Sequence, residues 1–495
     1  MVYELWIDGQ WRAPRSGRRF TVTNPATGET IAEVAEGAEA DVDDAVRAAR
    51  GAFAAWSSRS GAERADVLHR VAERLEARLA ELVSVEIDQI GRPRREMAAQ
   101  LARLPEWYRY FAAVARTHED TVPPFGTQHL NYTRRVPLGV VAQVTPWNHP
   151  LLILTKKVAP AMAAGNTIVV KPSELAPITP LMLGEVLREA GVPDGVYNVV
   201  PGFGATAGAA LCAHPDVAKI DLTGGTETGR RVAAAAGAGL KRVSAELGGK
   251  AALIAFPDVD VDRCVAATLF ASFIATGQTC VQGARLLVHR SIHDAVVARL
   301  VKRANAIRLG DPRQLSTQMG PLVSARQREL VERWVRIGVD EGATLACGGE
   351  RPEGAGFERG FFLRPTIFTG VTPAMRIARE EIFGPIVCVM PFDTEDEAVA
   401  IANGTEFGLA SSVWTRELAR AHRVAHRLQC GIVWINDHHR IDPASPWGGF
   451  RSSGIGRENG LVAYEEYTQI QNVVVNLSEE PFDWYADDAT GKRYS

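Results

Sequence analysis

The sequence predicts an α/β protein built around two separate parallel-sheet units, and three observations carry that expectation. The chain has 495 residues, more than a single compact core accommodates, so two or three domains are expected. Between residues 140 and 247 a short apolar strand, a glycine-containing turn and a helix recur at a spacing of roughly 25 residues, the signature of βαβ units in a doubly wound sheet. After Gly249 a second run of the same kind begins.

In order along the chain, residues 5–34 read as short strands and turns. From 41 to about 82 the pattern is helical, because Val42, Ala45, Val46, Ala49 and Phe53 fall at the three- and four-residue steps of one apolar face. A second helical block spans 97–116. Its aromatics Trp107, Tyr108, Tyr110 and Phe111 read most simply as core packing. Residues 128–144 alternate like strands and run into Thr145-Pro146-Trp147-Asn148. A helix over 151–164 ends at Gly165-Asn166. Strands are then expected at 167–170, 196–200 and 219–222, with a helix around 181–190 and another opening after Gly225. The second run has strands at 251–255, 284–288, 362–368 and 386–390 and helices at 261–275, 291–305 and 324–340. The chain closes with a strand at 470–476 and a polar tail from Pro481 to Ser495, whose Phe482, Trp484, Tyr485 and Tyr494 suggest docking on a neighbouring subunit.

Composition excludes several function classes. A hydrophobic fraction of 46% and a charged fraction of 23% are ordinary for a soluble globular protein. A net charge of −3 gives no reason to expect a nucleic-acid or acidic-membrane partner. The N-terminus has neither a basic n-region nor an apolar h-region, and no apolar run approaches the ~18 residues of a membrane helix. Cys212, Cys264, Cys280, Cys347, Cys388 and Cys430 lack CxxC pairs and zinc-type histidine spacing. No metal site is expected, and the thiols read as reduced in a cytoplasmic protein, with at most one carrying chemistry.

That one is Cys280, closing Ala275-Thr276-Gly277-Gln278-Thr279-Cys280 where a flexible turn could expose it at the end of a helix. A thiolate adds to a carbonyl and creates a tetrahedral centre from which hydride can leave. A carboxylate is then needed to activate water against the thioester, and Glu246 stands in Glu246-Leu247-Gly248-Gly249-Lys250. The oxyanion needs donors, and Asn148 with the cysteine's own N–H would serve. Each residue alone has a plainer reading as a buried thiol or a surface polar group. Two further stretches suit a dinucleotide. Lys171-Pro172-Ser173-Glu174 ends a strand, where a carboxylate can take ribose hydroxyls and disfavour a 2′-phosphate. Thr223-Gly224-Gly225-Thr226-Glu227-Thr228-Gly229 opens a helix, where backbone N–H groups can meet a pyrophosphate. Its spacing is not the G-x-G-x-x-G fingerprint, and a plain βα turn fits it equally well.

Together these stretches resemble the NAD(P)-dependent aldehyde dehydrogenases, in the family's order and from Ile7-Asp8-Gly9 to Tyr467-Thr468. Glu381-Ile382-Phe383-Gly384-Pro385, Trp447-Gly448-Gly449-Phe450 and Ser453-Gly454-Ile455-Gly456-Arg457-Glu458 complete the match. The resemblance implies Cys280 as nucleophile, Glu246 as deacylating base, Asn148 as oxyanion donor, and Lys157 and Glu458 as proton-relay residues. For NAD, with NADP the lesser alternative, it implies Lys171, Ser173 and Glu174 at the adenosine ribose. Gly204, Gly225 and Thr226 would lie by the adenine and pyrophosphate, and Glu381 and Phe383 at the nicotinamide ribose. Trp147, Thr223, Gly224 and Leu247 would lie nearby. The implied fold is a Rossmann-like cofactor domain (1–120 and 138–247, with 444–466 returning to it) and an α/β catalytic domain (248–443). A small β oligomerisation element (121–137 and 467–495) would join a hairpin near 121–137 to the C-terminal strand in a dimer or tetramer.

The chain also departs from the family's pattern. Gly225 stands where a serine is frequent, Asp221-Leu222 where an aromatic is common, and Ala275 where asparagine is frequent. The aldehyde pocket is implied to be lined by His149, Leu152, Ile274, Thr279, Val281 and the loop His438-His439-Arg440-Ile441, with Arg103 and Trp107 at its mouth. The basic residues His149, Arg103 and Arg440 point to a semialdehyde or another polar or acidic aldehyde. A CoA-acylating semialdehyde dehydrogenase and a non-catalytic protein on the same fold are the alternatives.

Overall fold

The computed structural model describes residues 1–479 and 483–485. Of the aromatic tail, Phe482 and Tyr494 lie outside the described residues, while Trp484 and Tyr485 are exposed. The first sheet has eight strands. Its five parallel strands lie in the order Tyr197–Val199, Thr167–Lys171, Val140–Val144, Val217–Thr223, Arg242–Glu246. In chain order that is 3-2-1-4-5, so the winding reverses between Val140–Val144 and Val217–Thr223, and ligands of open α/β sheets bind at such a switch point. The central pair Val140–Val144 and Thr167–Lys171 is rich in β-branched residues and buried on both faces, as parallel strands under helices must be. Leu5–Ile7 and Gln10–Arg12 extend one edge, and the Gly454–Ile455 strand pairs with Ala245 and Glu246 at the other.

The second sheet has seven strands, with Ala252–Ala255, Arg285–His289 and Ile386–Phe392 central and parallel. Four of its flanking elements are not among those expected from the sequence: the strands Ala410–Trp414 and Ile432–Ile435 and the helices Glu395–Asn403 and Leu418–Ala425. The Ala410–Trp414 strand is wholly buried yet carries Ser411 and Ser412, so no apolar run marks it.

Three expected helices end elsewhere. The 41–82 helix is two, Glu39–Ser57 and Gly61–Ile90. Ser60 starts the second with a capping box, its Oγ accepting from Glu63 N and its own N–H donating to Glu63 Oε2 at 2.7 Å. The 97–116 block is Arg94–Leu101 and Leu104–Thr117, the latter with Pro105 in its first turn. The 261–275 helix stops at Phe273. The expected hairpin near 121–137 is a single strand, His129–Pro137. Its partner is Thr468–Asn476, in antiparallel register from Thr468↔Pro137 to Asn476↔His129. Among the described residues, no helix is long and apolar enough to cross a membrane.

Candidate active site

The two sheets bring opposite edges to one place. At the C-terminal edge of the first sheet Lys171, Val144 and Leu222 share one row of the register, and Thr223 and Glu246 pair in the next. Gly249, the 280–284 segment and Glu381 lead into the N-terminal ends of strands in the second. Between them lies a cavity of about 890 Å³ into which Cys280, Glu246, Thr223, Lys156 and Glu458 all open. Asn148 joins the two sides, its Nδ2 donating to Gln278 O at 3.0 Å. An amide nitrogen has a second hydrogen, which stays available.

The segment before Cys280 is held rather than flexible. Ala275, Thr276 and Gly277 are all left-handed, at φ of 53°, 57° and 71°, which costs non-glycine residues roughly 1 kcal/mol or more each. Side chains hold the turn. Ala275 N donates to Glu96 Oε2, Thr276 Oγ1 donates to Gly320 O, and Gln278 Oε1 accepts from Val323 N. A Cβ on Gly277 would lie 2.2 Å from Gly384 O, so glycine is required there by both conformation and space. Ala275 therefore occupies a left-handed position, which asparagine tolerates better than alanine does.

The charges around Cys280 are uneven. Both carboxyl oxygens of Glu246 are buried and lack a hydrogen-bond partner among the described residues. Burial, and then Glu458, push Glu246 up to about 8. A Cβ on Gly448 would come within 2.8 Å of Glu246 Oε1, so the carboxyl turns there over bare backbone. Burial, and then Glu246, push the Cys280 thiol up to about 12, with Lys156 acting the other way. Beside them Glu458 is bracketed by Lys156 Nζ at 2.5 Å and Lys157 Nζ at 2.6 Å. Against its burial these two lysines hold Glu458 down to about 2. Lys157 is fully buried, also pairs with Asp221, and does not reach the cavity. Asp221, one of the departures, thus anchors Lys157 and accepts from Tyr467 Oη.

The remaining expected residues divide. His149, Leu152, Ile274, Thr279, Arg440, Ile441, Arg103 and Trp107 line the cavity. Trp107, the aromatic read as core, is buried but also faces it, and its Nε1 donates to Asn459 Oδ1 at 2.8 Å. Val281 and His438 do not line it. They lie behind Cys280, with His438 Nε2 2.7 Å from Val281 O and its ring tilted against Trp434. Neighbours of a lining residue in an extended loop point the other way, which alignment by position does not reveal.

Lys156 lines the cavity over the Trp447 ring, at 4.6 Å from its centroid, and went unnoticed beside Lys157. A lysine pair inside the apolar helix Pro150–Ala163 was the available signal. Arg92, Glu96 and Gln100 were also missed, since nothing in Gly91-Arg92-Pro93 distinguishes a buried arginine from a surface one.

Along the edge of the first sheet, Lys171 Nζ is 3.5 Å from Glu174 Oε2, and Ser173 Oγ accepts from Leu175 N. Gly204 and Gly225 have nothing within 4 Å of where a Cβ would stand. Gly225 caps the helix Thr226–Ala238, and Thr226 Oγ1 donates to Ser452 O. Gly224 N donates to Glu246 O, and Leu247 packs under Gly229. Trp147 meets Phe383 edge-on at 5.3 Å. Glu381 Oε1 accepts from Gly249 N at 2.9 Å, and burial pushes this carboxyl up to about 7.

Residues 11–473 match the family model described as "Aldehyde dehydrogenase family". Betaine aldehyde dehydrogenase of Bacillus subtilis (strain 168) is 42% identical over 489 residues, 98% of this chain and 100% of that one. Betaine aldehyde dehydrogenase of Mesorhizobium japonicum is 44% identical over 475 residues, 96% of this chain and 97% of that one. A solved structure of PnpE in complex with nicotinamide adenine dinucleotide superposes with a TM-score of 0.96 at 43% identity, covering 98% of this chain and all of that one. With a cysteine, a carboxyl and an amide meeting between two α/β sheets, and with these relatives matched end to end, the chain belongs to the aldehyde dehydrogenase family.

Proposed function

We propose that the chain oxidises an aldehyde to its carboxylic acid with NAD+, through a thiohemiacetal and a thioester on Cys280. The observation that carries this is the convergence of Cys280 and Glu246 on one cavity, with Asn148 bonded into the cysteine's loop. Bound NAD+ would supply the hydride acceptor. The edge of the first sheet fits it: a buried lysine against a carboxylate, two glycines with open space above them, and a helix N-terminus. The Cys280 thiol releases its proton to solvent through the cavity and adds as the thiolate, Sγ to the carbonyl carbon, and the resulting oxyanion accepts from the free hydrogen of Asn148 Nδ2 and from the Cys280 N–H. Loss of hydride from that carbon leaves the thioester. Glu246, as carboxylate, takes a proton from water, whose oxygen adds to the thioester carbon and expels the Cys280 thiolate with release of the acid. Lys157 and Glu458 would carry that proton away, with Lys156 on the same carboxylate.

The substrate reading follows from the wall. In the cavity lining, Arg92 pairs with Glu96 and Lys156 with Glu458. Arg95, Arg303 and Arg308 also line it and form no salt bridge among the described residues. With Glu246 protonated at neutral pH, the mouth is positive. It suits an aldehyde ending in a carboxylate better than the cationic betaine aldehyde named for the relatives. The ribbon of His129–Pro137 and Thr468–Asn476 leaves Leu130, Ile470, Val474 and Val475 exposed. A two-stranded ribbon is marginal alone, which supports a second copy covering it in a dimer or tetramer.

NADH formation is to be followed for succinic semialdehyde, betaine aldehyde and pentanal, with and without CoA. The expected result is oxidation without CoA, highest kcat/KM for the semialdehyde, and loss of oxidation by at least about a thousandfold in Cys280→Ser. Equal kcat/KM across the three would overturn the substrate class, and strict CoA dependence would overturn hydrolysis.

A further inference from the structure

One side chain in the aldehyde cavity has its protonation pattern decided by its neighbours. His149 sits at the N-terminus of the helix Pro150–Ala163, 4% exposed. Its Nδ1 is 2.6 Å from Arg92 Nη1 and 3.0 Å from Gln100 Nε2. A guanidinium has donors and no acceptor, so Nδ1 must be the acceptor. Gln100 agrees, because its Oε1 accepts from the same Arg92 Nη1 at 3.2 Å and its Nε2, at 3.0 Å, is nearer the ring nitrogen than its Oε1 at 3.4 Å. Arg92 is itself fixed, by Glu96 at 3.1 Å and by Asn148 O.

With Nδ1 accepting, the single proton of the neutral ring lies on Nε2. Burial, and then Arg92, hold His149 well below its usual value, with His439 and Lys156 acting the same way, so the ring is neutral at physiological pH. Nε2 is 3.3 Å from Thr279 Oγ1, the residue before Cys280. That is a long contact, at the weak end of hydrogen bonding, so the donor is free to take a better acceptor. Both residues line the cavity.

We infer that His149 is a specificity-determining donor of the aldehyde site: Arg92 and Gln100 lock it as the Nε2–H tautomer facing Thr279, and it selects aldehydes with an oxygen acceptor on the chain over all-carbon aldehydes of the same shape. This rests on the proposed oxidation at Cys280. Because the donor is neutral, it accepts ether, carbonyl and carboxylate oxygens alike, unlike the arginines of the mouth, which select charge. Facing a methylene, this buried N–H keeps only the long Thr279 contact, whereas an ether or carbonyl oxygen gives it a better acceptor, and sites built around a buried donor discriminate in this way.

The test uses two neutral, isosteric pairs: methoxyacetaldehyde with butanal, and 3-methoxypropanal with pentanal. For the wild-type chain, kcat/KM is expected to favour the ether in at least one pair by roughly tenfold or more. The preference should fall to within about twofold in His149→Phe and survive in His149→Gln, which keeps an N–H donor. Independently of any variant, the 15N spectrum of histidine-labelled wild-type protein should show His149 protonated at Nε2 and bare at Nδ1. Ratios near one in both wild-type pairs, an unchanged ratio in His149→Phe, or an Nδ1–H tautomer would each overturn the inference while leaving the oxidation intact. Absence of NADH with every aldehyde would instead overturn the oxidation, and this specificity with it.

Discussion

At the residue scale, the proposed chemistry turns on a thiol and a carboxyl that burial holds in their neutral forms. Glu246 must be a carboxylate to take a proton from water, yet burial raises it from its ordinary value to about 8. The base form therefore grows as pH rises, and kcat should climb through a limb centred near pH 8. In Glu246→Gln that limb should vanish and kcat should fall by about a hundredfold or more, while a first-turnover burst of NADH remains. A pH-independent kcat in the wild type would remove Glu246 from the deacylation. At the edge of the first sheet, the negative charge of Glu174 beside Lys171 would oppose the 2′-phosphate of an NADP bound there. Glu174→Gln should raise kcat/KM for NADP roughly tenfold relative to NAD; an unchanged ratio would mean that this carboxylate does not face the ribose. Cys280, Glu246, Asn148 and Glu174 were legible as candidates because each sits in a glycine- or proline-marked turn. Lys156, Arg92, Glu96 and Gln100 were not, because their roles depend on partners far along the chain.

At the scale of elements, what matters most is a short turn read from sequence as flexible and found pinned. Ala-Thr-Gly suggests mobility by composition, but three successive left-handed residues are held by Glu96, Gly320 and Gln278. Such strain persists only where surrounding contacts over-determine it. Gly277→Ala should destabilise the protein by about 3 kcal/mol, combining left-handed strain with a clash against Gly384 O. Denaturant unfolding measures this, and a loss below about 1 kcal/mol would show that the turn relaxes freely. The helix expected to run to 275 ends at Phe273 for the same reason, since helical propensity lost to tertiary contacts. Most of the expected strands lie within a residue or two of their places, but the one expected at 362–368 starts only at Thr366, and the apolar Ile432–Ile435 was not among them. The serine-bearing Ala410–Trp414 was not legible, since its burial comes from the sheet on either side.

At the scale of the whole molecule, the site exists because the C-terminal edge of one sheet faces the N-terminal edge of another, with the switch point of the first opening into the gap. The exposed ribbon is the other large-scale feature. Ile470 and Val474 lie on one face of the Thr468–Asn476 strand, four residues apart, and both are exposed. If a second copy covers them, Ile470→Asp with Val474→Asp should reduce the molar mass in light scattering to that of one chain. An unchanged mass would place the interface elsewhere. By itself the sequence determined the α/β class, the succession of strand–turn–helix units along the chain and the candidate trio Cys280, Glu246 and Asn148. These depend on local periodicity and on turn residues, which are properties of neighbours in the chain. Only the tertiary structure decided that Cys280 stands on a fixed turn, that Lys156 and Lys157 share Glu458, and that Arg92 directs the proton of His149. Those are pairings across long loops, and no periodicity in the chain encodes which distant charge a buried side chain will meet.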